Sequence, residues 1–357
     1  MKHFNTQGRV SVIIDGQYGS TGKGSIAAYC ALHSPVNIAV TNASANAGHT
    51  TILEDGTKFV TFHLPTAGVI NKKSAIYLDA GAIIDPELLQ REMKELDVNP
   101  NRMAIHPNAA IITSSDKEYE ANEHSGATKI ASTQKGCGRA LARKVMREGV
   151  VAKNFGPLQH MVRSLDLNGA LSDGASIQLE IPQGFSLGND QMFYPSCTSR
   201  IVSVSQGMSD AGIHPSFLGN VMMSIRTFPI RVGNIKLGNR EIGYSGDVYA
   251  DQNELTWEQL GQPEELTTVT KRVRRVFNFS LTQYSDALKV IRPTHTFLNF
   301  VNYIKNQDYF DSLCSSMSGT EICTEHGIGR VTTKLFGVGP CVTDIVEKET
   351  VMERMRW

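Results

Sequence analysis

The segment IIDGQYGSTGKGS, Ile13 to Ser25, joins an apolar run to a helix-like one, and its reading decides the fold. It approaches the phosphate-loop pattern G-x-x-x-x-G-K-S/T and departs from it twice. Gln17 stands where the first glycine belongs, and Gly24 follows Lys23. Gly16, Gly19, Gly22 and Gly24 let the backbone come close to an anion, the next helix offers its N-terminal amides, and Lys23 supplies a point charge. The same glycines would also serve a plain strand-to-helix turn, so the turn alone does not decide between the two.

Outward from this turn, RVSVIID reads as a strand and SIAAYCALH as a helix. VNIAVTNA, SAIYLDAGAII and MAIHPNAAII read as further strands. DPELLQREMKEL reads as a helix with Asp85 as N-cap and Pro86 at its first position. This alternation predicts an α/β fold, a large mostly parallel central sheet flanked by helices on both faces. Ligands of such sheets sit at the carboxyl ends of strands, where residues 13–25 lie. No break in composition divides the chain, so 1–357 is read as a single domain.

Composition narrows the function. The 357 residues are 41% hydrophobic and 20% charged, enough for one large core. Lys+Arg and Asp+Glu both number 35, so the basic excess of a general nucleic-acid binder is missing and no nucleic-acid partner is expected. Six scattered cysteines without a C-x-x-C pair read as free thiols of a reducing compartment. With no signal-like N-terminus and no apolar run of membrane-spanning length, the expectation is a cytoplasmic protein, in a host's cytoplasm if viral, with no membrane partner.

A second motif, TNASANAGHTT, puts Asn46, Gly48 and His49 on the turn after the second strand. An isolated histidine there would be structural. Beside an anion loop it becomes a candidate acid or oxyanion stabiliser, with both protonation states open near pH 7. GQYGSTGKG, NAGHTT and FHLPTAG together resemble the adenylosuccinate synthetase family, whose usual wording is close to GxQWGDEGKGK, NAGHT and HLxPSG. KIASTQKGCGRALARKVMREG, IPQGFSLGNDQMFYPSCTSR, FPIRVGN, TVTKRVRRVFNFS and VGPCVTDIV follow in the family's order, so the resemblance covers nearly the whole chain.

That resemblance implies a P-loop-like fold, a homodimer, Mg²⁺, and a reaction joining L-aspartate to carbon 6 of a purine nucleotide. It implies catalytic roles for Ser20, Lys23, His49 and Gln183. The acceptor nucleotide would meet Ser20, Asn46, Ser132, Thr133, Gln183, Thr198 and Val232, with Arg147 donated across the dimer. The donor would meet Gly22, Lys23, Gly24, Ser25, His49, Thr50, Gly339 and Pro340, and the metal Ser20 and Gly48. The residue chemistry agrees. A 6-oxo group must become a leaving group, and phosphoryl transfer to it is mainly positioning and charge neutralisation, suited to Lys23, His49 and Mg²⁺. Aspartate is a dicarboxylate, and TKRVRR offers Lys271, Arg272, Arg274 and Arg275. Alone that cluster would read as a solvated basic face; in register with the family it implies an aspartate loop of Thr270, Arg272 and Arg274.

Two departures from the family pattern carry information. Ser20 stands where the family has an aspartate that takes the purine N1 proton and ligates the metal, and a serine hydroxyl is no base unaided. RPTHTFLNF, matched to the guanine-reading T-K-x-D segment, places His295 and Phe297 at the donor base, where a phenyl ring could stack on adenine but not meet guanine's donors. Together these resemble the viral branch of the family that uses dGMP in place of IMP, with ATP or dATP as donor. The group that removes the N1 proton stays open among a metal-bound hydroxide, the donor phosphate, a water on Ser20, and Asp15. An ordinary IMP- and GTP-using synthetase and an inactive nucleotide-binding relative are the other readings.

Overall fold

The computed structural model describes residues 4–355 apart from 239, 269, 325–330 and 332. Its centre is a nine-stranded sheet. In chain order the strands are β1 (Val10–Asp15), β2 (Ile38–Thr41), β3 (Ala75–Leu78), β4 (Met103–Ile105), β5 (Ile177–Glu180), β6 (Leu218–Arg226), β7 (His295–Asn299), β8 (Thr333–Gly337) and β9 (Ile345–Val346). Their order in space is β9-β8-β7-β6-β1-β5-β2-β3-β4, parallel throughout except for β9, which runs antiparallel to β8 at one edge. The α/β reading of the sequence holds. The predicted first helix is α1 (Lys23–His33), and DPELLQREMKEL forms α2 (Pro86–Glu95) with the Asp85 carboxylate accepting from the Leu88 amide at 3.4 Å.

β1 sits between β6 and β5 and is buried along its whole length. Val10, Val12 and Ile14 face one apolar cluster with Leu179 and Met223, while Ile13 faces another with Ile26, Met222 and Phe297. Period-two alternation with both faces apolar is what a central parallel strand requires. The carboxyl ends of β1, β2, β5, β6 and β7 all open toward one side, and the loops leaving them meet there. Among the described residues no helix is long and apolar enough to cross a membrane.

The FHLPTAG segment is held by a buried carboxylate rather than by a strand. Glu92 of α2 accepts the backbone amides of Phe62 at 2.8 Å, His63 at 2.9 Å and Leu64 at 3.0 Å. Removing it strands three donors in a site that water does not reach, each costing about 1–3 kcal/mol. Glu92→Ala is therefore expected to lower unfolding stability by at least about 2 kcal/mol in urea titrations, far more than an average surface change.

Candidate active site

The turn after β1 is built around Asp15, fully buried at the strand's end. One carboxylate oxygen accepts the Gln17 amide at 2.8 Å and the Gly19 amide at 3.2 Å. The other accepts the Thr21 hydroxyl at 2.6 Å and the Lys23 ammonium at 3.2 Å. Lys23 also donates to the Gln183 carbonyl at 2.7 Å, which ties the turn to the loop after β5. Both oxygens of Asp15 are thus committed. It is the anchor of the turn, and the expectation that it could take a proton from substrate is not supported.

Gly22 adopts φ 91° as N-cap of α1, and an added Cβ there would sit 2.0 Å from the Asn299 amide nitrogen. Gly184 packs so closely that its Cβ would lie 2.2 Å from the Gly19 nitrogen. Ser20 is exposed and left-handed, with φ 56°. Its neighbours fix the backbone while the hydroxyl stays open.

This turn floors a cavity of about 930 Å³, near the top of the size range of small-molecule sites and roomy enough for more than one ligand. Ser20, Gly22, Lys23, Gly24, Ser25, Asn46, Gly48, His49, Thr50, Ser132, Thr133, Gln183, Thr198, Val232, Arg274, Gly339 and Pro340 all line it. Segments separated by hundreds of residues are therefore brought together as the sequence implied. The Gln183 side-chain amide donates to Asn46 at 2.9 Å, joining the loops after β5 and β2.

Several expectations are corrected. Phe297 lies fully buried in mid-strand, packed with Ile13 and Ile26, and touches no part of the cavity. His295 begins β7, at the end of the sheet away from the ligand side, against Phe4. What reaches the cavity is Asn299, the last residue of β7, with Phe300, Asn302 and Tyr303 just beyond it. The matching to T-K-x-D was thus set too early along β7. Thr270 and Arg272 also stay off the cavity wall. Arg272 donates to the Thr270 hydroxyl at 3.0 Å and to the carbonyls of Ala131 at 2.8 Å and Ser132 at 3.1 Å, fastening the basic loop to the Ser132 loop. Arg274 is the cation of the cluster that faces the cavity, while Arg275 is paired with Glu254 at 2.7 Å. Arg147 is exposed, beyond the end of α3 (Cys137–Val145), and lies outside its own chain's cavity.

Electrostatics sharpen the roles. Desolvation first, and the Lys23 charge second, push the His49 pKa down to about 3. The ring is neutral at pH 7 in this environment and can offer an N–H donor to the cavity, rather than having both states open. Desolvation lowers Arg274 to about 10, leaving it cationic and weakly hydrated, a good partner for a carboxylate. The cavity's two carboxylates, Glu120 and Glu265, are both committed. Glu120 accepts the amides of Gly136 at 2.7 Å and Arg139 at 3.0 Å, and Glu265 is paired with Arg226 at 2.7 Å.

Among the described residues no group of three His, Cys, Asp or Glu could hold a metal by itself. What the wall offers is neutral oxygen, the exposed Ser20 hydroxyl and the Gly48 backbone. Mg²⁺ usually takes one or two carboxylates beside waters and phosphate oxygens, so here a hydroxyl and a carbonyl would have to serve in place of a carboxylate, with phosphates and waters supplying the rest.

A parallel sheet with a lysine-bearing glycine turn at its central strand, over a cavity lined by that turn and by Arg139, Arg231 and Arg274, defines a nucleotide-dependent enzyme of the P-loop-like class. Residues 12–166 match the family model described as adenylosuccinate synthetase. The chain is 36% identical to the N6-succino-2-amino-2'-deoxyadenylate synthase of Salmonella phage PMBT28 over 96% of this chain and 98% of that one. It is 35% identical to the adenylosuccinate synthetase of Pyrococcus sp. (strain ST700) over 77% of this chain and 79% of that one. Among solved structures, the cyanophage S-2L succinoaminodeoxyadenylate synthetase bound to dGMP and to dATP as an energy donor superposes with TM-score 0.82 at 32% identity, covering 95% of each chain. The chain belongs to the adenylosuccinate synthetase family.

A linkage follows from His49. From pH 6.5 down to about 3 the unfolded chain holds a proton at this ring that the folded chain refuses. Stability therefore falls as pH drops through that window. His49→Gln is expected to show a shallower loss of urea midpoint than the parent between neutral pH and about pH 4.

Proposed function

We propose that this enzyme joins L-aspartate to C6 of dGMP at the expense of ATP or dATP, giving N6-succino-2-amino-2'-deoxyadenylate. The observation that carries this reading is Ser20. It is a small neutral residue, left-handed and open to the cavity, at the position where the resemblance implies an aspartate. It leaves room beside N1 for a 2-amino group. The likeness over almost the whole chain to phage enzymes of that name supports the choice of acceptor.

For the donor, the support is the stretch Asn299–Tyr303. It contains no carboxylate to accept guanine N1–H and N2–H, and leaving those donors unmet would cost about 1–3 kcal/mol. The related cyanophage structure holds dATP as energy donor.

In this reading Lys23 and the amides opening α1 hold donor phosphates, and His49 donates to the charge that builds during phosphoryl transfer to O6. Arg274 holds a carboxylate of aspartate, whose amine then displaces phosphate from C6. Gln183, fixed by Asn46, orients the acceptor, and Ser132 and Thr133 take its 5'-phosphate. The family is generally Mg²⁺-dependent, and Ser20 and Gly48 would hold the ion against phosphate oxygens, where it supplies charge neutralisation. With Asp15, Glu120 and Glu265 committed, the candidates for accepting the N1 proton include the donor phosphate and a water held by Ser20.

The test is a substrate matrix crossing dGMP, GMP, IMP and AMP with ATP, dATP and GTP, run on the parent and on Ser20→Asp. The parent is expected to turn over dGMP with ATP or dATP; reaction only of IMP with GTP would overturn the reading. Aspartate tolerates a left-handed backbone, so the turn should survive the change. The ratio of kcat/KM for dGMP over IMP should fall by at least about tenfold, or ~1.4 kcal/mol, because a carboxylate crowds the 2-amino group and gives IMP a base.

The same reading makes the enzyme a homodimer in which Arg147 serves the partner's acceptor phosphate. Arg147→Ala should weaken acceptor binding without lowering stability, since the side chain is exposed. Mixed with Thr133→Ala, it should regain part of the activity through hybrid dimers. Mixtures that stay inactive despite confirmed subunit exchange would count against a shared site.

A further inference from the structure

Arg226, at the carboxyl end of β6, is the bulkiest fully buried side chain among the described residues, and none of the chemistry above uses it. A buried guanidinium is costly unless its charge and its donors are met. Here a two-pronged pair with Glu265, at 2.7 Å and 3.2 Å, meets the charge and the two terminal nitrogens, while Nε is left without a hydrogen-bond partner. The guanidinium carbon lies 3.9 Å over the Phe300 ring, and one prong also reaches the Ser20 carbonyl at 3.3 Å. The backbone of Arg226 exchanges two hydrogen bonds with the Gln17 side chain, at 2.9 Å and 3.2 Å. On the far side, Glu265 accepts the Tyr303 hydroxyl at 2.9 Å, and its carbonyl accepts the Arg274 amide at 2.9 Å.

One side chain therefore touches three separate cavity walls. They are the Ser20 turn, the Phe300–Tyr303 segment, and the strap that carries Arg274. Burial alone would raise the Glu265 carboxyl's pKa; the neighbouring Arg226 outweighs it and keeps the group ionised, so the joint is a true ion pair at neutral pH.

We infer that Arg226, clamped by Glu265, is a positioning residue that sets the Ser20 turn at a fixed distance from the Arg274 wall, coupling the acceptor nucleotide to the dicarboxylate that attacks it. This rests on the proposed reading of the two subsites. Lysine at this position keeps charge and approximate length but cannot span Glu265 and Ser20 together or stack on Phe300. The prediction is a loss of coupling rather than of folding.

The experiment compares the parent with Arg226→Lys, and with Tyr303→Phe, which removes one hydroxyl and keeps the ion pair. Thermal midpoints are recorded first. Calorimetry then measures dGMP affinity with and without saturating L-aspartate, and steady-state assays give kcat and the KM for aspartate. In the parent, aspartate should tighten dGMP binding several-fold. In Arg226→Lys that factor should collapse to near one and kcat should fall at least tenfold. Tyr303→Phe should move both readouts in the same direction by less.

A variant that keeps both the coupling and kcat overturns the inference. So does a loss of activity that follows the thermal midpoint and disappears on cooling, which marks a structural role. Should Arg226→Lys not fold, an unchanged coupling factor in Tyr303→Phe overturns it, and a reduced factor upholds it. Absence of aspartate incorporation by the parent would sink the functional reading, while the binding measurements would still decide the joint.

Discussion

With one oxygen of Asp15 taken by the Gln17 and Gly19 amides and the other by Thr21 and Lys23, the turn after β1 is fixed from inside the sheet. Three parts of the cavity wall are registered against that turn. Gln183 reaches it through Lys23, Asn299 wedges beside Gly22, and Arg226 grips the Ser20 carbonyl. Lys23 itself serves two purposes. It neutralises a buried carboxylate and still presents positive potential to the cavity, which is part of what keeps the His49 ring unprotonated. A single buried ion pair thus sets both the shape and the field of the site.

That arrangement explains how a site can tolerate a serine where a carboxylate is expected. The anchoring carboxylate is Asp15, one turn deeper, and its hydrogen bonds do not depend on the side chain at position 20. Ser20 projects from an already determined backbone, so the residue there is free to be chosen by the ligand. In the proposed reading, substrate choice and loop stability are carried by different residues, five positions apart along the same turn.

Much of this was legible in the sequence, for identifiable reasons. Apolar runs of four to six residues bounded by glycine and proline gave the parallel sheet, and Asp85-Pro86 gave a helix start that the structure reproduces. Motifs lying immediately after strands found their places because the geometry forces such turns to the carboxyl edge. Failures came where local text does not encode depth. His295, Phe297 and Phe300 lie on one short segment, and only the end of β7 and the left-handed Phe300 decide which of them meets ligand. TKRVRR shows four cations but not that Arg272 is spent on the carbonyls of Ala131 and Ser132. Arg226 and Glu265 were invisible, because nothing in SIRTF or PEELT signals a pair formed across 39 residues.

The strand order also has a bearing on how the chain comes to be folded in a cell. β1 is entirely apolar or buried and occupies the middle of the sheet, yet both its neighbours, β5 and β6, lie about 160 to 200 residues further along the chain. At ribosomal speeds of about 5–20 residues per second, β1 waits on the order of 8–40 seconds before either partner is made. Throughout that interval its two edges and two greasy faces are open to whatever else is nearby. Fidelity in this architecture therefore depends on timing as much as on final stability, and slow synthesis or a dilute chaperone supply would tax the central strand before any other.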